Sequence, residues 1–158
     1  MKKLIIIRGS LGVGKTTVSK ILSQRLDLDY LSLDKIIDDN HLVVPGTDGV
    51  PLQSYLAANQ IIFDVVNNGE KTFIVDGCFY YQEQLDDLMK KFNNNIEIFT
   101  LVGSIETCIQ RDAQRLKVYG EDAARFVHMM TAKIHIGLEI DTTKQTSEET
   151  VEDILERI

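Results

Sequence analysis

Apolar positions along this chain fall into two alternating kinds of block. Residues 4–7 form an unbroken branched run, Leu-Ile-Ile-Ile, the pattern of a parallel strand covered on both faces. Over 16–26 the apolar residues Val18, Ile21, Leu22 and Leu26 recur at helical spacing. The alternation then continues with a strand over 29–33, a short helix over 34–40, and a loop over 41–50 carrying Pro45, Gly46 and Gly49. Pro51 suits a first helical turn and Asn67-Asn68-Gly69 a helix stop, which brackets a long helix over 51–67. A strand over 71–75 runs into Asp76-Gly77. A helix over 82–92 stops at Asn93-Asn94-Asn95, and a strand over 96–102 follows. Ser104 is placed to cap a helix running through Arg115, with Glu106 and Thr107 in its first turn. After Gly120 the pattern predicts a helix over 121–133 and a last strand over 134–140. Ser147, with Glu149 and Thr150, opens a closing helix to 158.

Five strands, each followed by helix, predict an α/β fold: an open parallel sheet with helices on both faces. A length of 158 residues without repeat or linker fits one domain over 1–158. Ligands are then expected at the carboxyl ends of the strands, where Gly9, Asp34, Asp76, Gly103 and Asp141 fall. The net charge of -7 argues against a protein that coats nucleic acid, which relies on Lys and Arg to neutralise phosphates. Lys2-Lys3 before Leu4 imitates the start of a signal peptide, but Arg8 ends the apolar run after four residues, short of the ~7 a secretory segment needs. No run approaches the ~18 residues that span a bilayer. Cys78 and Cys108 form no CxxC pair, and a reduced, cytoplasmic setting is the simpler expectation.

The chemistry concentrates in Gly9-Ser10-Leu11-Gly12-Val13-Gly14-Lys15-Thr16, a full GxxxxGK[ST] match lying between a strand and a helix. Glycines let main chain wrap a phosphate, and the following helix aims free N–H groups at the anion. Lys15 is expected to reach the β- and γ-phosphates, and the Thr16 hydroxyl to ligate Mg²⁺. Gly9, Ser10, Gly12, Val13, Gly14, Lys15, Thr16 and Thr17 are therefore the candidate nucleotide-binding segment. A GTPase switch would show NKxD and DxxG motifs, and neither is present; Asp76-Gly77-Cys78-Phe79 does not continue as DxxG. The chain is too short for the appended parts of helicases or motor ATPases, which leaves a phosphotransferase.

The sequence resembles the small P-loop kinases, nearest to the group of chloramphenicol phosphotransferase, zeta toxins and polynucleotide kinase. It is more distantly similar to shikimate, gluconate and adenylate kinases. The resemblance rests on 7–17, Leu31-Ser32-Leu33-Asp34, Ile74-Val75-Asp76-Gly77, Arg111-Asp112-Ala113-Gln114-Arg115 and Ile140-Asp141-Thr142-Thr143, in the family's order. It implies a P-loop NTPase three-layer sandwich with sheet order 2-3-1-4-5, a helical lid over about 115–130 and an acceptor region over about 34–65. It places Asp34 at the acceptor hydroxyl as catalytic base; the competing role is an N-cap for the helix from Lys35. Asp76 stands where a Walker-B-like acid holds Mg²⁺ through water, with a turn residue or an acceptor contact as alternatives. Arg111 and Arg115, four apart on one helix face, match lid arginines that stack on adenine and clamp the transferring phosphate. Arg125 is a weaker lid candidate, Gly120 a hinge between two lid arms, and Thr142 and Thr143 are candidates for the adenine edge. ATP and Mg²⁺ are the implied cofactors, and the chain is expected as monomer or homodimer.

One departure from that pattern bears on the acceptor. No arginine occurs between Arg25 and Arg111, while Asp34, Asp38, Asp39, Asp48, Asp64, Glu70 and Asp76 do. A dianionic acceptor finds little bidentate pairing there. The expected partner is a small, neutral or cationic hydroxyl compound such as a nucleoside, sugar or antibiotic-like alcohol, with the 41–50 loop setting specificity. A nucleotide or polynucleotide 5′-hydroxyl kinase is the alternative, and a non-catalytic nucleotide switch a further one. His41, His128 and His135 have no ligand spacing and are read as packing or surface residues.

Overall fold

The computed structural model describes residues 3–47 and 49–158. Asp48, counted above among the acids of the acceptor interval, and Lys2 of the basic start lie outside them. Five strands, β1 (Leu4–Gly9), β2 (Asp29–Ser32), β3 (Phe73–Gly77), β4 (Ile96–Val102) and β5 (Leu138–Asp141), form one sheet of order β2-β3-β1-β4-β5. Every pairing is parallel, so the sheet order implied by the family resemblance is the one observed. The helices are α1 (Lys15–Leu26), α2 (Leu33–Asp39), α3 (Leu52–Asn68), α4 (Gln82–Lys91), α5 (Ile105–Ala113), α6 (Glu121–Ala132) and α7 (Ser147–Leu155).

The central strand shows why the chain makes three layers. Leu4 and Ile6 point into a core shared with α2, α3, α4 and α6. Ile5 and Ile7 point the other way, into a core shared with α1 and α7. The period of two that strands impose thus turns a continuous apolar run into two buried faces. Among the described residues no helix is long and apolar enough to cross a membrane. Cys78 and Cys108 are both buried and free.

Several boundaries differ from the sequence pattern. The last strand begins at Leu138 rather than 134. Gly137, at φ 70°, makes a turn against the Ile98 carbonyl that a side chain would obstruct. The carbonyls of Ile134 and Ile136 just before it are taken by Arg8 and Thr100 side chains rather than by a ladder. The helix expected to run through Arg115 ends at Ala113, where Gln114 and Arg115 donate back three residues to Arg111 and Asp112. The closing helix opens at Ser147 as expected, with Thr146 before it as the cap in a reciprocal capping box with Glu149, and it ends at Leu155 rather than 158. Ser104 caps α5 as its position foretold, its hydroxyl accepting from the Thr107 amide at 3.2 Å.

Candidate functional site

The turn between β1 and α1 is built from close approaches. A Cβ on Gly9 would run into the Leu101 carbonyl oxygen, and one on Gly12 into the carbonyl of Cys108 on α5. Gly14, at φ 101°, is the N-cap of α1, and the space beside it is open for 4 Å. The loop is therefore gripped at Gly9 and Gly12 and vacant at Gly14, where the first turn of α1 presents its free amides. Lys15 donates from Nζ to the Ser10 carbonyl at 2.7 Å. Ser10 is buried, with its hydroxyl 3.4 Å from Cys108 Sγ.

Thr142, just past β5, fastens this loop from the far side of the sheet. Its hydroxyl donates to Val13 O at 3.0 Å, and Arg111 donates from Nη2 to its carbonyl at 3.0 Å. Thr142 is 3% exposed, so this hydroxyl serves the loop's own carbonyl. Thr143, paired with it in the sequence reading, accepts from the Ser104 amide at 3.1 Å.

Two cavities flank the loop. The first, about 410 Å³, runs from Gly12 through Thr17 and is closed by Arg111, Arg115 and Thr142. It is lined by three cations, Lys15, Arg111 and Arg115, and no carboxylate. In a chain of net charge -7 that local excess favours a polyanion. The second cavity, about 690 Å³, is lined by Leu11, Asp34, Tyr80, Tyr119 and Phe126 among others. It carries Asp34, Asp38 and Asp122 against a single Lys117. Neighbouring loop residues Leu11 and Gly12 thus face different cavities, and the 114–120 segment reaches both, through Arg115 and Lys117.

Asp34 lines the second cavity, and Asp76 lies within electrostatic reach of Asp34 and of Lys15 and Thr16, which line the first. Ser32 caps α2, its hydroxyl accepting from the Lys35 amide at 3.4 Å. Asp34 is thereby free of the capping role that competed for it, and it is exposed to the second cavity. Asp76 is 3% exposed. Tyr30 donates to its Oδ1 at 3.1 Å, while its Oδ2 is buried without a hydrogen-bond partner among the described residues. Burial pushes the Asp76 carboxyl above the ordinary range, against the opposing pull of the Thr16 hydroxyl, Lys15 and Tyr30; Asp34 adds to the push. Burial likewise pushes Cys78 up, with Lys15 opposing and Asp34 adding.

Two readings of the arginines are corrected. Arg115 is off the helix that carries Arg111, so they share a cavity rather than a helix face. Its guanidinium stands 5.3 Å from the Tyr119 ring and 3.8 Å from Asp112. Arg125 pairs with Glu121 at 2.7 Å, both more than half exposed, and it lines neither cavity.

Three residues escaped the sequence reading. Tyr30 lies on an edge strand with no local signal linking it to Asp76. Asp112, 1% exposed, accepts the amides of Tyr119 and Gly120 at 3.1 and 2.9 Å and so closes the 114–120 segment. Arg8, fully buried, donates to Thr100 and to the carbonyls of Thr131 and Ile134 at the end of α6. Burial lowers its pKa. A charged residue directly following the apolar β1 run was the one available hint.

Comparison with known proteins bears on the family and the fold. The profile of a family described as an AAA domain matches residues 4–133. An adenylate kinase of Mesomycoplasma hyopneumoniae (strain 7448) is 29% identical over 150 residues, covering 89% of this chain and 69% of that protein. Among solved structures, a sugar kinase from Janibacter sp. HTCC2649 superposes with a TM-score of 0.79 at 15% identity, covering 99% of this chain and 94% of the other. The tunicamycin resistance protein of Deinococcus radiodurans does so with 0.74 at 16% identity, covering 99% and 95%.

Proposed function

This chain belongs to the AAA domain family, its relatives and structural neighbours are P-loop kinases, and we propose that it moves the γ-phosphoryl group of ATP to a hydroxyl of a small acceptor that carries no phosphate or carboxylate. The observation that carries this reading is the pairing of opposite cavities. A cationic one lies on the helix N-terminus, an acidic, aromatic one lies beside it, and Asp34 stands on the acidic side of the junction.

The triphosphate lies in the first cavity, along the Gly12–Thr17 main chain, with Lys15 on the β- and γ-phosphates. Arg115 neutralises charge that develops on the transferring group, and Arg111 faces the nucleoside end. The acceptor enters the second cavity. Its oxygen attacks the γ-phosphorus, the bond to the β,γ-bridging oxygen breaks, ADP leaves, and the hydroxyl proton passes to the Asp34 carboxylate. Thr142 acts on the nucleotide through Val13, whose carbonyl it holds.

The residues present fit Mg²⁺. Asp76 Oδ2 is a buried oxygen without a hydrogen-bond partner among the described residues, and the Thr16 hydroxyl bears on the same carboxyl. Hard oxygen donors of this kind suit that ion. Among the described residues no three His, Cys, Asp or Glu side chains come together as a metal cage; Mg²⁺ in such sites is held largely by phosphates and water. Thr16 and Asp76 would hold it, and bound there it supplies positive charge to the β- and γ-oxygens.

Acting on adenylate, as the name of the Mesomycoplasma relative says of that protein, would require cations around the second cavity. Among the described residues Lys117 is the sole one lining it, so a neutral or cationic acceptor fits better. Replacing Asp34 by Asn tests the assignment. ATP binding is expected to persist while transfer falls by roughly a hundredfold to ten-thousandfold, the usual worth of a positioned base. Full turnover in D34N, measured as ADP release dependent on an accepted alcohol, would refute it.

A further inference from the structure

The second cavity describes its occupant more closely than the kinase reading, on which this inference rests, requires. None of its three carboxylates is paired. The cations nearest them in sequence are engaged elsewhere, Lys35 with Asp39 and Arg125 with Glu121. Asp34, Asp38 and Asp122 have no ion pair or hydrogen bond to their carboxylates among the described residues. Lys117, the one cation present, stands 5.2 Å from the Tyr119 ring.

A second, independent feature points at a ligand. Tyr80, 8% exposed and lining the same cavity, accepts a hydrogen bond from Tyr55 at 3.2 Å. Its own hydroxyl proton has no acceptor among the described residues. A buried phenol whose donor is unspent, on a cavity wall, calls for an oxygen from the occupant. The mouth is apolar: Val43 and Phe126 are each 51% exposed and Tyr119 37%, and all three line the cavity.

We propose that the acceptor is an amphipathic amino alcohol, with its hydroxyl at Asp34, an oxygen within reach of Tyr80, an apolar body against Tyr119 and Phe126, and its ammonium against Asp38 and Asp122. Filling this cavity strips water from the carboxylates, which is costly unless a cation takes water's place. An ammonium does so, and the aromatic faces add to its attraction. A neutral isostere leaves the acids uncompensated, and an anion is repelled by them.

Three compounds with the same benzylic hydroxyl separate these cases: 2-amino-1-phenylethanol, its N-acetyl derivative, and 2-hydroxy-2-phenylacetate. Their binding to the full chain is measured by calorimetry, with and without Mg²⁺ and a non-hydrolysable ATP analogue. The amine is expected to bind about tenfold tighter than the amide or more, the size of one good charge contact, and the carboxylate to bind least. D38N/D122N is expected to bring the amine down to the level of the amide. The proposal is overturned if amide or carboxylate binds as tightly as the amine, if the amine shows no binding at millimolar concentration, or if the double variant keeps the amine's advantage. The wild-type comparison stands even if the double variant fails to fold. Absence of binding by the ATP analogue would instead strike the kinase reading, while the nucleotide-free titrations still decide the charge of the occupant.

Discussion

Asp112 ties the 114–120 segment to the end of α5 beside the nucleotide cavity. Its carboxylate is buried and accepts the Tyr119 amide at 3.1 Å and the Gly120 amide at 2.9 Å. Gly120 is the N-cap of α6, so one side chain in the last turn of α5 fixes both the loop and the start of the next helix. A hydrogen bond to a charged group contributes about 1.5–3 kcal/mol. Tyr119 is 37% exposed, so in Asp112→Ala its amide finds water and recovers part of that. The net loss of local stability is then about 2–3 kcal/mol, roughly a thirty- to hundred-and-fifty-fold fall in amide exchange protection. Hydrogen exchange read at Tyr119 and Gly120 measures it directly. Asp112→Asn keeps an oxygen acceptor without the charge and is expected to fall between the two. Unchanged protection at both amides in Asp112→Ala would refute the assignment, because no other acceptor for them exists among the described residues.

Two further outcomes follow from single contacts. Thr142→Val removes the hydroxyl that holds Val13 O and is expected to weaken binding of an ATP analogue about fivefold, the worth of one ordinary hydrogen bond, with calorimetry as the check. The raised pKa of Asp76 makes stability depend on pH. The folded state binds the proton more tightly than the unfolded state, so stability is greatest below the ordinary carboxylate range and declines as pH rises through Asp76's raised value. Denaturant unfolding of metal-free protein should show that decline, and Asp76→Asn should remove it.

Much of the fold was legible because its signals are local. The branched run of β1, the glycine spacing after it and the Ser104 cap each depend on a few consecutive residues. The sheet order came with the family resemblance, since no single-strand pattern contains it. The readings that shifted depend on contacts far apart in sequence. Ile134 and Ile136 look like strand, yet Arg8 and Thr100 occupy their carbonyls from more than 30 residues away. Arg115 looks helical at four residues from Arg111, but the buried Asp112 draws the chain into a turn. Sequence alone does not decide between Ser32 and Asp34 for the cap of α2, because both are good capping residues; in the structure Ser32 takes it. The partner of Asp76, Tyr30, sits on a strand whose own sequence gives no sign of it.

Phosphoryl transfer by this chain requires that the β1–α1 turn receive a nucleoside triphosphate with Mg²⁺ through its main-chain amides, Lys15 and Thr16. Titrating the protein and its Lys15→Ala variant with ATP, with and without Mg²⁺, tests it most directly. The account predicts affinity that Mg²⁺ strengthens in the parent and that Lys15→Ala weakens by roughly thirtyfold or more, the worth of a charged phosphate contact. No Mg²⁺-dependent binding of any nucleoside triphosphate, or equal binding by the variant, would contradict it.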